Sequence, residues 1–301
     1  MMVLPVRVVH SVGVKGVDDV SYQIITDATA DMDWSLWDVC VIPMEVRLNQ
    51  LAYSYGPDGT MVCIHDFYKE QQAGAETSTS QISPFEFNRV FEKYLSQGMD
   101  ILYLGFSSGM SGTFQNSCLT VDELMKQYPE RRIICVDTLA ASVMEGYLVY
   151  EAARKKAEGI ALEDLADWVK ALRKQAYCRF VVDDLNTLKR GGRISSANAF
   201  VGTTLQIKPI LKINEKGCLQ MIDKKRGRKK SINDLLNYYH TNSMKSIGGV
   251  VVIGHGNCLE DAETLRDAIQ EQYPNTKVIV THVGPVIGAH TGAGMLSIAF
   301  C

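Results

Sequence analysis

Three loops rich in small polar residues carry the side chains that could do chemistry in this sequence. They span residues 77–81, 105–113 and 284–294. Each follows a predicted strand or precedes a predicted helix, and open α/β sheets bind their ligands at such places. Hydroxyl groups and the free N–H groups at a helix start bind anions. We therefore expect an anion-binding site at these loops, although serine and threonine also form turns and caps without any function.

The second of these loops also allows a different chemistry. Gly105, Ser107 and Gly109 match the G-x-S-x-G pattern, in which a strained turn exposes a nucleophilic serine. In that motif the helix starts directly after the serine, whereas here three further residues lengthen the turn. The alternative left open is a serine esterase or acyl-transfer enzyme, with Ser107 as nucleophile and, as its partners, His282 or His290 and an aspartate such as Asp184.

Two features could support the anion site. Four glycines surround His290 in the third loop, so its ring is free to point into a cleft, although a structural histidine is the other interpretation. Arg193 follows Gly191 and Gly192, which allow a tight turn that carries a guanidinium group. We expect Arg193 and Thr291 to support the site.

A basic cluster lies in the second half of the chain. The formal net charge is −3, and without this cluster 25 basic residues remain against 34 acidic ones. The predicted role is partner docking, and a solvated hairpin end is the alternative. Nucleic-acid binding is disfavoured, because no aromatic residues are interleaved for base stacking. The cluster consists of Lys224, Lys225, Arg226, Arg228, Lys229 and Lys230.

Other classes of site have little support. The six histidines lack the spacing of metal ligands, so we expect no metal, and the eight cysteines show no close pair and are expected to be reduced. No Walker or dinucleotide motif is present, so we expect no nucleotide cofactor. Apolar runs fall far short of the roughly 20 residues that span a bilayer, and the N-terminus resembles no secretory signal, so we expect a cytoplasmic protein.

The elements that position these loops alternate between strands and helices, which predicts an α/β fold. In the first half we predict strands at 22–26, 39–44, 101–106 and 133–136 and helices at 142–158 and 162–174, in a doubly wound α/β/α domain. A further helix begins after Ser83, where Pro84 and Glu86 complete a capping box, and closes at Gly98.

The sequence of the second half of the chain predicts a mixed or antiparallel sheet. Residues 214–217 have the composition of a hairpin turn, which would join strands at 210–213 and 218–222. A helix is predicted from Ser231, capped with Asp234, and strands at 249–253 and 277–282 flank a helix at 259–273. We therefore divide the chain into an N-terminal α/β domain at 1–176, with 1–20 as an extension, and a C-terminal α/β domain at 177–301.

Nine motifs in this order resemble the DegV family of bacterial fatty-acid-binding proteins, over about residues 22–301. They are ITDATADM, VIPMEV, TSTSQISPFEF, SSGMSGTFQNS, VDTLAAS, LKRGGRIS, IKPIL, KKRGRKK and GPVIGAHTGAG. The resemblance implies a DegV-like, two-domain α/β protein that holds a long-chain fatty acid between its domains. It also implies a non-catalytic carrier subunit, which presents the acid to a separate, ATP-dependent fatty acid kinase subunit that makes acyl phosphate for phospholipid synthesis.

Carried over by motif, the resemblance assigns the fatty acid carboxylate to hydroxyls and one imidazole. The implied ligands are Thr79, Ser107, Ser108, Ser111 and His290. Such donors bind a carboxylate without a fixed opposite charge, and we expect this to leave the acid available for attack on a phosphoryl group. The tail is implied to lie in a buried apolar tunnel.

Overall fold

The computed structural model describes residues 21–301 except 37, 58, 60–62, 184, 195–205 and 244–248. The predicted N-terminal extension and Asp184 lie outside the described residues. The strands are β1 (Tyr22–Asp27), β2 (Val39–Ile42), β3 (Met44–Leu48), β4 (Leu51–Tyr55), β5 (Thr77–Thr79), β6 (Asp100–Gly105), β7 (Ile133–Asp137), β8 (Tyr177–Val181), β9 (Ile207–Ile213), β10 (Leu219–Arg226), β11 (Val250–His255), β12 (Lys277–His282) and β13 (Leu296–Phe300). The helices are α1 (Ile64–Gln72), α2 (Pro84–Leu95), α3 (Thr113–Gln127), α4 (Ser142–Ala157), α5 (Leu162–Leu172), α6 (Asn186–Arg190), α7 (Arg228–Asn242), α8 (Leu259–Gln272) and α9 (Pro285–Thr291).

The first sheet is parallel, in the order β2-β1-β6-β7, and helices cover both of its faces. Successive strand residues point to opposite faces, so each strand supplies two hydrophobic layers. Ile25 and Ile101 pack towards Phe87 and Phe91 of α2, whereas Ile24 packs on the opposite face, against α4 and α5. The doubly wound α/β/α arrangement expected for the first half is confirmed.

The predicted start of α2 is also confirmed. The Ser83 side chain accepts a hydrogen bond from the Glu86 amide N at 3.3 Å, and Pro84 occupies the first helical turn. Gly98 lies three residues beyond the helix, with a φ of +79° that favours glycine. This cap fixes the direction in which the chain leaves the polar segment 77–81.

The strand predicted at 39–44 is wrong in its extent, because Pro43 interrupts it. Proline has no N–H to donate to a sheet, and β2 ends at Ile42. From Met44 the chain forms β3, which belongs to a separate antiparallel sheet of order β4-β3-β5. Thr77 to Thr79, expected to lie in a loop, form β5 of that sheet, where Thr79 is opposite Val46.

The second large sheet is mixed, in the order β10-β9-β8-β13-β11-β12, as expected for the second half. Strands β8, β9 and β10 are antiparallel, and β11 and β12 are parallel. The predicted hairpin joins β9 to β10: Asn214 Oδ1 accepts from the amides of Lys216 and Cys218, and Gly217 has a φ of +73°. The domain division at residue 176 stays a prediction, although β8, the first strand of this sheet, begins at Tyr177.

The helix predicted from Ser231 starts three residues earlier, so the proposed capping box is wrong. Helix α7 begins at Arg228, after Gly227 turns the chain with a φ of +88°. The Ser231 hydroxyl lies inside the first turn and donates to the Arg228 carbonyl at 2.7 Å. Within the described ranges, no helix is long and apolar enough to cross a membrane.

Candidate functional site

A largely apolar cavity, here called the central cavity, lies between the two larger sheets. It contains about 750 Å³ of empty space, part of it at its opening to solvent. Phe106 and Ala141 from the first half of the chain share one hydrophobic cluster with Phe180, Leu188 and Leu211 from the second half. The apolar lining consists of Met44, Phe106, Met110, Ala141, Val143, Cys178, Phe180, Leu188, Ile213, Leu219, Val286, Ile287 and Met295.

Thr79 and His290 meet at the lining of this cavity. Thr79 Oγ1 lies 2.8 Å from His290 Nε2, within hydrogen-bond distance. Thr79 ends β5 and His290 lies in the last turn of α9, so the pair joins segments 211 residues apart. The Thr77 hydroxyl donates to the Ala289 carbonyl at 2.9 Å and thereby holds β5 against α9. The structure thus brings together two of the predicted carboxylate ligands.

The environment of His290 keeps its ring neutral at neutral pH. Burial, and secondarily the charge of Arg193, lower the pKa of His290 to about 4. Its Nδ1 atom is buried and has no hydrogen-bond partner among the described residues. A Cβ atom at Gly191 would clash with that nitrogen, so a glycine there lets the α6 end approach the ring. A neutral imidazole can donate to a carboxylate through one nitrogen and accept through the other.

Arg193 also lines the central cavity, and it is held by backbone carbonyls. One terminal nitrogen donates to the Gly191 carbonyl at 2.5 Å, and Nε donates to the Met110 carbonyl at 3.4 Å. Its charge is therefore close enough to lower the pKa of His290. Its guanidinium group faces the same space as Thr79 and Ser111, and its supporting role stays a prediction.

Ser111 is the one serine of loop 105–113 that lines the cavity. Its hydroxyl accepts from the Thr113 amide at 3.2 Å and lies 3.0 Å from Thr113 Oγ1, at the first turn of α3. Thr291, predicted to support the site, also lines the cavity, and its hydroxyl donates to the Ile287 carbonyl. Ser80 and Gln81, which belong to the predicted loop 77–81 but were not named as individual ligands, also line the cavity.

Ser107 and Ser108 lie away from the central cavity lining. Ser107 is fully buried, and its hydroxyl donates to the Gly217 carbonyl at 2.8 Å and accepts from the Gly109 amide at 3.2 Å. It therefore anchors the β9–β10 hairpin on the loop. Ser108 borders a separate surface depression together with Cys118 and Leu119.

The partners named for a serine nucleophile also have other contacts. The ring of His282 lies 4.4 Å from that of His255 at the ends of β12 and β11, and His290 bonds Thr79. These contacts do not bring an imidazole to the Ser107 hydroxyl, which is already donated to Gly217. The geometry therefore indicates a structural role for the G-x-S-x-G match, because Ser107 holds the β9–β10 hairpin in place.

Buried carboxylates lie directly behind the cavity lining. Asp31 Oδ1 accepts from the Gly284 amide at 2.8 Å, and its Oδ2 accepts from the Ser142 hydroxyl at 2.6 Å. Burial raises the pKa of Asp31 to about 7, although both hydrogen bonds act to lower it. Ser142 and Thr29 line the cavity, and their hydroxyls are used by Asp31 and by the carboxylates of Asp27 and Glu145. Their positions depend on contacts between distant segments, which sequence spacing does not reveal.

The basic cluster is divided between two elements. Lys224, Lys225 and Arg226 end β10, and Arg228, Lys229 and Lys230 begin α7. Arg228 is directed inwards, where it donates to Asp261 and to the Gly294 carbonyl, and Lys225 pairs with Asp223 and Asp234. The exposed members are Lys224, Arg226, Lys229 and Lys230. Across the described ranges, no three His, Cys, Asp or Glu side chains are arranged to hold a metal ion.

Comparison with known proteins relates the chain to one family. A family model described as "Uncharacterised protein, DegV family COG1307" matches residues 21–301. A DegV domain-containing protein of Clostridium perfringens is 38% identical over 282 residues, which cover 93% of this chain and 97% of the relative.

Two solved structures share the fold. One carries the description "Fatty Acid Binding of a DegV family Protein from Thermus thermophilus"; it is 30% identical, with a TM-score of 0.83, and covers 93% of this chain and 98% of its own. The Fatty Acid Kinase (Fak) B3 protein of Streptococcus pneumoniae, loaded with linoleic acid, has a TM-score of 0.82 over 93% of this chain and 99% of its own. At 19% identity, this second likeness concerns the fold.

Proposed function

Because this chain belongs to the DegV family, we propose that it binds a long-chain fatty acid in the central cavity. The observation that carries the proposal is the hydrogen-bonded pair Thr79–His290 at the lining of an otherwise apolar cavity. The carboxylate accepts hydrogen bonds from Ser111 and from one member of the Thr79–His290 pair, whose other hydrogen joins the pair itself, and Arg193 supplies a positive charge nearby. The acyl tail lies against Phe180, Ile213 and the other apolar lining residues.

The tail supplies most of the binding free energy. Burial of one methylene contributes about 0.8 kcal/mol, so a sixteen-carbon chain contributes roughly 12 kcal/mol before the cost of ordering. The carboxylate needs hydrogen-bond donors, because an unpaired charge in an apolar site costs several kcal/mol. The polar residues therefore determine the orientation of the acid, and the apolar lining supplies most of its affinity. We expect the protein to retain its ligand through purification.

We further propose that the protein is a carrier without its own catalytic activity and presents the acid to a separate fatty acid kinase subunit. The resemblance of the sequence to fatty acid kinase carrier subunits suggests this partner. The exposed side chains of Lys224, Arg226, Lys229 and Lys230 form a cationic surface on a chain whose remaining charge is negative. Such a surface suits docking to an acidic face of a protein partner and accelerates association.

Native mass spectrometry of the freshly purified protein tests the first proposal. We expect one fatty acid per chain, released on denaturation and identified by mass after solvent extraction. A protein that is empty, takes up no added fatty acid and hydrolyses an activated acyl ester would overturn the proposal in favour of a serine enzyme. Addition of a fatty acid kinase subunit and ATP then tests presentation: acyl phosphate must form only when both proteins are present.

The variant Thr79→Val tests the head-group assignment. It removes one hydroxyl with little change in shape, and loss of a hydrogen bond to a charged group weakens binding by about tenfold or more. The matched control is Thr264→Val, on an exposed face of α8, where the hydroxyl bonds only the Glu260 carbonyl of its own helix. Equal fatty acid affinity in the two variants would exclude Thr79 as a ligand.

A further inference from the structure

A second cavity lies next to the central cavity. Cys178 of β8 and Ile213 of β9 line both cavities, so the two cavities meet at these residues, here called the Cys178–Ile213 wall. The second cavity contains about 1050 Å³ of empty space, including its opening to solvent. We call it the Arg173 cavity. Its remaining lining comes from the end of α5, the start of α4 and the β9–β10 hairpin.

Two cations face the Arg173 cavity. Arg173, just past the end of α5, donates from one terminal nitrogen to the Asp137 carbonyl. Its Nε atom is buried and finds no acceptor among the described residues. Because the Asp137 carbonyl carries no net charge, an anionic ligand in the cavity would supply the counter-charge of the Arg173 guanidinium group. The adjacent Lys174 is exposed and adds a second positive charge.

The other walls restrict the kind of anion. Leu139 and Met144 lie beside Cys178 and Ile213, so a large part of the lining is apolar and favours a hydrocarbon chain. Glu215 also lines the cavity and is exposed, and its carboxylate disfavours a ligand with several negative charges. A ligand with a single negative charge and an apolar chain fits both the apolar lining and the presence of the Glu215 carboxylate.

We propose that the Arg173 cavity is a second binding site, which takes a monocarboxylate with a medium-length apolar chain. The carboxylate pairs with Arg173 and Lys174, and the chain packs on Leu139, Met144 and the outer side of the Cys178–Ile213 wall. This site uses none of the polar residues assigned to the central cavity. The protein therefore holds two amphiphiles at once, one on each side of that wall.

The test is a titration of the full chain, freed of bound lipid, with decanoate, followed by native mass spectrometry. We expect two decanoates per chain in the wild type. Arg173→Met should weaken one binding event about tenfold or more and leave the other, whereas Thr79→Val should weaken the other event. Arg89→Met serves as the control, since this arginine lies on the exposed side of α2 and pairs with Glu86. Failure at either cavity is therefore recognised separately.

Saturation of the wild type at one decanoate would overturn the proposal, as would a second event that is the same in wild type and Arg173→Met. If circular dichroism shows that Arg173→Met does not fold, variants at two exposed positions test the proposal instead. Lys174→Met removes an attractive charge and must weaken the second decanoate binding event. Glu215→Gln removes a repulsive charge and must strengthen the same event. No change in either variant also contradicts the proposal.

Discussion

At the scale of single residues, the two serines of the G-x-S-x-G match lie outside the lining of the central cavity, and Ser107 bonds the β9–β10 hairpin. Ser107→Ala should lower the free energy of unfolding by about 1–3 kcal/mol, because the buried Gly217 carbonyl and Gly109 amide lose their partner. Ser108→Ala, at the half-buried neighbouring position, should change it by less than about 0.5 kcal/mol. Urea unfolding compares the two variants. Equal stabilities, together with labelling of Ser107 by a fluorophosphonate, would instead favour a nucleophile.

Cys118, on the exposed surface of α3, should react readily with alkylating agents. A hydrogen bond from Cys135 of β7 lowers the pKa of the exposed Cys118 to about 6, although burial acts in the opposite direction. The thiolate is the reactive form, so alkylation of Cys118 by iodoacetamide should reach half its maximal rate near pH 6. Cys135→Ala should move this midpoint towards the ordinary value near 9. A midpoint that does not move would show that Cys135 is not the cause.

Individual site residues could be predicted from sequence where motif and local structure coincide. Thr79, Ser111 and His290 were assigned from the family resemblance, and Arg193 and Thr291 were expected to support the site; all five line the central cavity. Ser107 shares its motif with Ser111, yet it faces a hairpin about 110 residues further along the chain. The direction of a side chain within a loop depends on such distant contacts, and no local pattern carries that information.

At the scale of elements, the capping box at Ser83 predicted the start of α2 correctly, whereas the one at Ser231 did not predict the start of α7, and the end of β2 was not predicted. Ser83, Pro84 and Glu86 identify the start of α2 by local hydrogen bonding alone. The interruption at Pro43 and the start of α7 at Arg228 depend on which sheet receives the chain on either side. A proline and a glycine mark these positions in the sequence, but each residue is compatible with several continuations.

The β9–β10 hairpin couples the serine loop to the central cavity through Gly217. This glycine has a φ of +73°, and a Cβ atom there would collide with the Ser107 hydroxyl. Gly217→Ala should therefore lose about 1–2 kcal/mol to backbone strain and a further 1–3 kcal/mol to overpacking. It should also weaken fatty acid binding, because Ile213 and Leu219 flank the turn and line the cavity.

The matched control for this prediction is Gly74→Ala. Gly74 also has a positive φ, of +101°, but no atom lies within 4 Å of a Cβ atom placed there. This variant should show backbone strain alone and bind fatty acid normally. Thermal unfolding and a fatty acid titration compare the two, and a Gly217→Ala protein as stable as Gly74→Ala would contradict the predicted collision.

At the scale of the whole molecule, a buried hydrogen bond joins segments that lie 253 residues apart in the chain. Asp31 follows β1, and Gly284, whose amide it binds, precedes α9 and the predicted ligand His290. The carboxyl therefore connects the edge of the first sheet to the loop that completes the central cavity. Its pKa of about 7 in the folded protein lies above its ordinary value of 3.8. Between these values the folded state binds a proton that the unfolded state releases, so this group's contribution to stability is lost as the pH rises.

The buried histidines His255 and His290 change the pH dependence of stability in the opposite direction to Asp31. Burial lowers the pKa of His255 and of His290 to about 4, below the ordinary 6.5, so their contribution is present above pH 6.5 and lost as the pH falls towards 4. The net pH dependence of the wild type therefore combines opposing slopes. A comparison of two proteins that share both histidines removes their contribution and isolates the carboxyl.

Asp31→Asn should accordingly show a pH-dependent difference in unfolding free energy from the wild type. The substitution removes the titrating group, so the variant should gain relative to the wild type by as much as about 1.4 kcal/mol per pH unit between pH 5 and 7. Above about pH 8 the difference should become constant. Urea unfolding at each pH measures it. Asp33→Asn is the control: hydrogen bonds from Ser35 lower the pKa of this exposed carboxyl, so its difference should be constant above pH 5. A constant difference for Asp31→Asn as well would mean that Asp31 is ionised in the folded protein throughout this range.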